Sequence, residues 1–184
     1  MRIVKIDMEQ VGILYPRLQE AFPKAELKSL KRIKESIRKD TYDCFGLEEN
    51  SEIIGCAYFV KTGHDAMLDY LCVWPDKRNN GCGSASLAAL RGYFDEMNSV
   101  IAEVEDPDTA QNDDERTLRT RRLGFYLRNG FVDTGVRAVI FNVRYRVIRF
   151  DDGKAFEKEE IREIYRAHYR AMLPENLYEQ YIDI

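Results

Sequence analysis

The sequence predicts an α/β fold: one domain, residues 1–184, with a mixed, mostly antiparallel sheet flanked by helices. Three observations carry this reading. Between Tyr42 and Val73, three apolar runs are separated by short polar turns, the pattern of a meander. From Ala66 to Met97 the period changes from that of a buried strand to that of an amphipathic helix, with Gly81 and Gly83 at the junction. From Val136 to Phe150 two sets of side chains alternate in the period of a strand. Length agrees, because 184 residues suffice for one well-buried domain and are too few for two comfortable ones.

Taken in order, Arg2–Lys5 reads as a short first strand. Val11, Leu14, Leu18 and Phe22 form a helical stripe that stops near Pro23, and Pro16 inside it kinks or restarts the helix. Leu27, Leu30, Ile33 and Ile37 give a second stripe, so the two helices form an antiparallel or angled pair. Tyr42–Leu47 and Ile53–Lys61 are strands joined by Glu48-Glu49-Asn50-Ser51, and Thr62-Gly63-His64-Asp65 turns the chain into a third, Ala66–Val73. Gly55 within a strand marks a bulge or a point of close packing. A helix over Ser84–Met97 puts Leu87, Leu90, Phe94 and Met97 on one side.

Val100–Glu105 is a short strand closed by Asp106-Pro107-Asp108. Thr109–Glu115 is a polar loop, and Asp113 or Asp114 caps the helix that follows, with Glu115 at its positive end. That helix carries Leu118, Leu123, Phe125, Tyr126 and Leu127 and ends at Asn129-Gly130. Val136–Phe150 is read as one strand, with Val139, Phe141, Val143, Tyr145 and Val147 alternating with Ala138, Ile140, Asn142, Arg144 and Arg146. Asp151-Asp152-Gly153 turns the chain out of it. A C-terminal helix at about 157–173 holds the stripe Ile161, Ile164, Tyr165, His168 and Met172, and ends by Pro174.

A net charge of −4 argues against a nucleic-acid partner, which needs a basic surface. No apolar run approaches the roughly 20 residues of a membrane helix, and Met1-Arg2-Ile3-Val4-Lys5 has no signal-peptide core, so no membrane partner is expected. Cys44, Cys56, Cys72 and Cys82 contain no C-x-x-C pair, and the chain has only two histidines. Neither a disulfide framework nor a metal site is predicted, and the usage is that of a reduced, cytoplasmic protein.

The chemistry concentrates in Val73–Ser84, between the third strand and its helix. Glycines at a helix mouth let the backbone approach a ligand; the first N–H groups are free and the dipole adds positive charge. Such a loop suits a phosphate or pyrophosphate, although a plain strand–helix turn also uses glycines. A P-loop does not fit, because no lysine follows. A Rossmann turn needs G-x-G-x-x-G, whereas this stretch is Gly81-Cys82-Gly83-Ser84-Ala85-Ser86. Glu103 and Glu105, about 20 residues beyond, are the one point in its favour.

Arg78-Asn79-Asn80-Gly81-Cys82-Gly83 also fits the R/Q-x-x-G-x-G/A pattern of the GCN5-related N-acetyltransferases, the GNAT family. Val73-Trp74-Pro75 resembles the V-x-P that ends the preceding strand there, and Gly124-Phe125-Tyr126-Leu127-Arg128-Asn129-Gly130-Phe131 resembles the F-Y-x-x-x-G-F hallmark. The resemblance implies a GNAT-like fold with acetyl-CoA as co-substrate. By it, the backbone N–H groups of Asn79, Asn80, Gly81, Cys82, Gly83 and Ser84 hold the coenzyme pyrophosphate, and Arg78 adds charge to the same phosphates. Leu71 and Val73 would run beside the pantetheine arm and pair with it as a strand does.

Acetyl transfer to an amine needs a base for the amine, polarisation of the carbonyl and an acid for the leaving thiolate. Tyr126 matches the tyrosine that family members often use as that acid, since a phenol of pKa about 10 stays neutral at pH 7. Read plainly, it is a core tyrosine on an apolar helix face. Glu103 and Glu105 share one face of their strand, with Val104 opposite, and either can take the amine proton or bind the ammonium. Glu103 resembles the base of some peptide N-terminal acetyltransferases and is the first choice. Asp69, on one face with Leu71 and Val73, competes; other members place their carboxylate two residues earlier, at Met67 here.

A second departure replaces the family's N-x-x-A by Arg119 and Arg122. With Arg116 and Arg121 they read as a solvated face balanced by Asp113, Asp114 and Glu115, or as a contact to phosphates or an acidic acceptor. His168 and Trp74 read as packed core and His64 as a turn residue.

The function expected is an acetyl-CoA-dependent N-acetyltransferase acting on a primary amine of a small molecule or peptide by direct attack. A non-catalytic acyl-CoA-binding protein and, less well fitted, a Rossmann-type oxidoreductase are the alternatives. The acceptor's identity, the acyl length, the choice among Glu103, Glu105 and Asp69, and whether the chain forms a homodimer are open at this level.

Overall fold

The computed structural model describes residues 1–24, 26–78 and 81–184. They gather into two compact units, Met1–Lys61 with Leu68–Tyr93, and Thr62–Met67 with Phe94–Ile184.

The first unit contains β1 (Arg2–Lys5), α1 (Met8–Ala21), α2 (Leu30–Arg38), β2 (Tyr42–Glu49), most of β3 (Glu52–Thr62), the larger part of β4 (Asp65–Val73) and α3 (Cys82–Ala89). Its strands lie in the order β1-β2-β3-β4. A capping box starts α1: Asp7 Oδ1 accepts the N–H groups of Glu9 and Gln10, each at 2.9 Å, while Gln10 Oε1 accepts the Asp7 N–H. Such a cap contributes about 1 kcal/mol. The helix runs through Pro16 to Ala21. Val11 and Leu18 on α1 and Ile33 on α2 are buried, as are Leu47, Cys56, Ala57 and Phe59 on the two faces of the strands.

Asn50 and Ser51 make the β2–β3 turn with φ +50° and +64°, the left-handed pair that matches strand twist in a two-residue hairpin. The ladder slips between Leu47 and Glu48, opposite Gly55 and Ile53. Gly55 is therefore beside a bulge, and it is also a close-packing point: a Cβ there would lie 2.2 Å from the Cys72 carbonyl oxygen and 3.0 Å from Val73 Cα. Nothing larger than glycine lets β4 run this close to β3.

The helix expected over Ser84–Met97 is two. α3 starts earlier, at Cys82, and ends at Ala89; α4 covers Arg91–Asp95. Leu90 at the joint has ψ −7°, too flat to carry the helix on, and the poor helix former Gly92 follows. The apolar side is kept, with Leu87, Leu90 and Phe94 buried.

The second unit holds the start of β4, β5 (Ser99–Glu105), α5 (Asp113–Arg128), β6 (Phe131–Ile140), β7 (Val143–Phe150), α6 (Lys158–Met172), α7 (Glu175–Tyr181) and β8 (Ile182–Asp183). Its order is β5-β7-β6-β8. The stretch expected as one strand is a hairpin, and its first strand begins at Phe131, before Val136. Phe141 and Asn142, at φ +47° and +67°, turn the chain so that Ile140 faces Val143. The buried positions before the turn are Val136, Ala138 and Ile140, and Phe141 is exposed. Asn112, rather than Asp113 or Asp114, caps α5, its Oδ1 accepting the Glu115 N–H at 2.9 Å. Pro107–Thr109 forms a 3-10 turn after β5, and α5 already starts at Asp113, inside the stretch Thr109–Glu115 expected as a loop.

The ladders β1·β2, β2·β3, β5·β7, β6·β7 and β6·β8 are all antiparallel. The fold is thus a mixed α/β one whose eight strands pair mostly antiparallel with helices packed against them. A doubly wound parallel sheet of the Rossmann type is excluded.

Candidate active site

β4 alternates towards its end: Asp69, Leu71 and Val73 are half-exposed, while Tyr70 and Cys72 between them are buried. Trp74 then locks the strand end. Its N–H donates to the Ile54 carbonyl at 2.8 Å and its indole Nε1 to the Ile53 carbonyl at 2.9 Å, so the indole is packed core. Pro75–Lys77 forms a 3-10 turn, after which Arg78 Nε donates to the Val73 carbonyl at 3.1 Å. One side of the exposed guanidinium thereby grips the strand end.

Gly81 is the N-cap of α3 at φ +74°, a left-handed conformation that costs an L side chain energy. It has no side-chain capping bond, and among the described residues a Cβ at this position would meet nothing within 4 Å. The glycine is needed for its backbone sign. Ala85 N–H makes the first helical bond, to the Gly81 carbonyl at 3.0 Å. The amides of Gly81, Cys82, Gly83 and Ser84 precede it and have no carbonyl within the helix to meet, so they suit an anion. Asn79 and Asn80 lie outside the described residues.

Asp69 is committed within the same unit. Lys28 Nζ lies 2.6 and 2.7 Å from its two carboxylate oxygens, and Tyr42 donates to Oδ2. Burial first, then the Asp69 charge, pushes the Tyr42 phenol well above its ordinary pKa, so Tyr42 is held as a donor. Tyr70 tightens the surround: its hydroxyl donates to the Glu26 carbonyl and accepts the Lys28 N–H, both at 2.9 Å.

On β5, Glu103 and Glu105 are half-exposed on one face, with Val104 buried on the other. Arg119 Nη2 lies 3.5 Å from Glu105 Oε1 and Arg122 Nη1 3.1 Å from Oε2. Glu103 instead accepts from two phenols of α6, Tyr165 and Tyr169. Tyr126 lies on α5 between Phe125 and Phe131, with ring centroids at 5.1 and 5.4 Å. Burial pushes its phenol up to about 12, with Arg122 opposing. Among the described residues none hydrogen-bonds its hydroxyl, which stays protonated and available to donate.

A GNAT acetyltransferase domain model matches residues 40–133, about half of the chain. That stretch contains the glycine loop, both glutamates of β5 and Tyr126. The chain belongs to the GNAT acetyltransferase family. YjbC of Bacillus subtilis (strain 168), a protein named as an acetyltransferase, is 32% identical over 117 residues, 64% of this chain and 55% of that protein. The chain thus spans little more than half the length of this curated relative. A GNAT-family protein of Bacteroides thetaiotaomicron has a similar fold, with a TM-score of 0.74 at 18% identity over 94% of this chain and 98% of its own. A Bacillus subtilis acetyltransferase solved with CoA gives 0.56 at 14% identity, over 81% and 97%.

Several side chains of this GNAT chain do what its sequence does not announce. Arg119 is buried rather than solvated: Nη1 donates to the Asp106 carbonyl and Thr109 Oγ1, each at 3.1 Å, and Nη2 to Glu115 Oε1 at 2.6 Å. It staples α5 to the end of β5, while Arg116 and Arg121 remain exposed. Tyr165 reads in the sequence as one apolar position of a stripe, and Tyr169 carries no motif at all. Only their spacing, four apart on one helix, hints that both hydroxyls meet one partner.

Proposed function

We propose that the protein transfers the acetyl group of acetyl-CoA to a primary amine of a small molecule or peptide by direct attack in a ternary complex, with residues 1–184 as one acetyltransferase domain. The observation that carries the reading is the start of α3, where Gly81 is left-handed and the first amides have no carbonyl within the helix to meet, in the chain that follows the half-exposed end of β4 and its 3-10 turn. The amides of Gly81, Cys82, Gly83 and Ser84, with Asn79 and Asn80 before them, bind the pyrophosphate. Arg78 has guanidinium donors beyond its bond to Val73 and adds charge there. Leu71 and Val73 line the pantetheine arm.

Acetyl-CoA supplies the thioester carbonyl and a thiolate leaving group. Glu103 removes a proton from the acceptor ammonium, directly or through one water, so that the nitrogen lone pair can form the new C–N bond. As the C–S bond breaks, Tyr126 gives its phenolic proton to the thiolate, and solvent returns one proton to Tyr126 and takes one from Glu103. Glu103 is the first choice because it resembles the base of some peptide N-terminal acetyltransferases; at Glu105 and Asp69 both carboxylate oxygens face cations, which an incoming ammonium would have to displace.

Among the described residues no helix is long and apolar enough to cross a membrane, and all four cysteines are free and buried. The proposal includes a location in the reducing cytoplasm, which the free, buried thiols support. Thiol release from acetyl-CoA, followed against polyamines, lysine and peptides with a free N-terminus, tests the function. Turnover with any of them supports it; saturable acetyl-CoA binding with no transfer favours a non-catalytic binder.

A further inference from the structure

Two tyrosines of α6 converge on the carboxylate to which the proposed function gives the base role. Tyr165 donates to Glu103 Oε2, and the Tyr169 hydroxyl lies 2.8 Å from Oε2 and 3.0 Å from Oε1. Four positions apart, they stand one turn from each other, with rings edge-on at 5.1 Å and 85°. Tyr165 is 0% exposed and Tyr169 6%. Phenylalanine would fill the same volume without the cost of burying a hydroxyl, so the packing alone does not call for phenols. What the hydroxyls add is a pair of donors aimed at one anion, and hydrogen bonds to a charged acceptor are the strong ones. Burial, then the Glu103 charge, pushes the Tyr165 phenol well above its ordinary pKa, so it keeps the proton it donates.

Glu105 and Arg149, which lie near Glu103 on this side of the sheet, have partners of their own. Along β5, Glu105 is taken by Arg119 and Arg122 of α5. Across on β7, Val147 is in register with Glu103, and Tyr145 and Arg149 flank it. Arg149 Nε donates to Ser99 Oγ at 3.3 Å, and its Nη2 lies 2.9 Å from Asp152.

We infer that Tyr165 and Tyr169 are positioning residues for acetyl transfer: as a pair they fix the orientation of the Glu103 carboxylate and stabilise its ionised form for the incoming ammonium. The inference rests on Glu103 being the base. In the step, an ammonium N–H bond breaks and the proton passes to a Glu103 oxygen, while both phenols keep theirs.

The test is a carbon-13 NMR titration of glutamate carboxyl groups, with the Glu103 signal assigned by its loss in Glu103→Gln. Losing donors to an anion disfavours the ionised form, so in Tyr165→Phe/Tyr169→Phe the midpoint rises by roughly one pH unit, and in Tyr169→Phe alone by less. The acidic limb of kcat/KM moves the same way, with the KM for acetyl-CoA unchanged. An unmoved midpoint, or a moved midpoint with an unmoved acidic limb, overturns the role of the tyrosines while leaving Glu103 as the base. A full-rate Glu103→Gln enzyme overturns the base itself, and the catalytic place of the tyrosines falls with it. Thermal unfolding of each variant accompanies the titration; should the double variant not fold, Tyr169→Phe decides.

Discussion

Tyr126 and Glu103 divide the proton chemistry, and each can be removed with little change of shape. Tyr126→Phe is expected to lower kcat by about 100-fold, within the usual range for a general acid, and to leave acetyl-CoA affinity unchanged by calorimetry. Because burial raises this phenol to about 12, it remains protonated well above neutrality, and an alkaline fall in rate below about pH 11 would have another origin. Glu103→Gln is expected to cost about 100-fold, most at low pH, against less than about 10-fold for Glu105→Gln or Asp69→Asn. The reverse ranking in initial rates would move the base to one of the cation-paired carboxylates. The sequence shows Tyr126 inside a motif and Glu103 on the same strand face as Glu105. It does not show which partners come to them. Lys28 on Asp69 and Tyr165 on Glu103 are distant in sequence, and no local period encodes such pairings.

At the scale of elements, the glycines of β3 and of the α3 mouth do different work. Gly81→Ala must hold an L residue at φ +74°, a cost of roughly 1–2 kcal/mol. It should lower the melting temperature modestly and weaken acetyl-CoA binding by altering the first amides of α3. Gly55→Ala would bring a methyl to 2.2 Å from the Cys72 carbonyl, and that backbone cannot swing away as a side chain can. About 2 kcal/mol or more of stability is expected to be lost, read from denaturant unfolding. Both glycines are legible in the sequence, one from the loop pattern and one from its place in a strand. The β6–β7 hairpin is not. Its turn is Phe141-Asn142, without the glycine that normally supplies a positive φ, and the side chains on either side still alternate. The break between α3 and α4 is hidden for a similar reason, since Leu87, Leu90 and Phe94 stay on the buried side across it.

For the molecule as a whole, acid stability offers a check that is independent of catalysis. Burial pushes the Asp152 carboxyl up, but the Lys154 N–H at 3.1 Å, the Lys154 ammonium and the Arg149 guanidinium outweigh it and hold it at about 2, below its ordinary 3.8. A carboxylate lowered on folding contributes stability that is fully present above about pH 4 and is lost as the pH falls towards 2. Asp152→Asn should therefore be less stable than the parent at pH 6, with a flatter decline between pH 4 and 2 in urea titrations. Equal slopes would remove this ion pair from the account. The central claim is that the glycine loop and α3 amides hold acetyl-CoA, and calorimetric titration of the purified protein with acetyl-CoA, beside a nicotinamide dinucleotide, tests it most directly. Saturable binding of acetyl-CoA alone is the predicted result. Absence of acetyl-CoA binding, or preference for the dinucleotide, would contradict it.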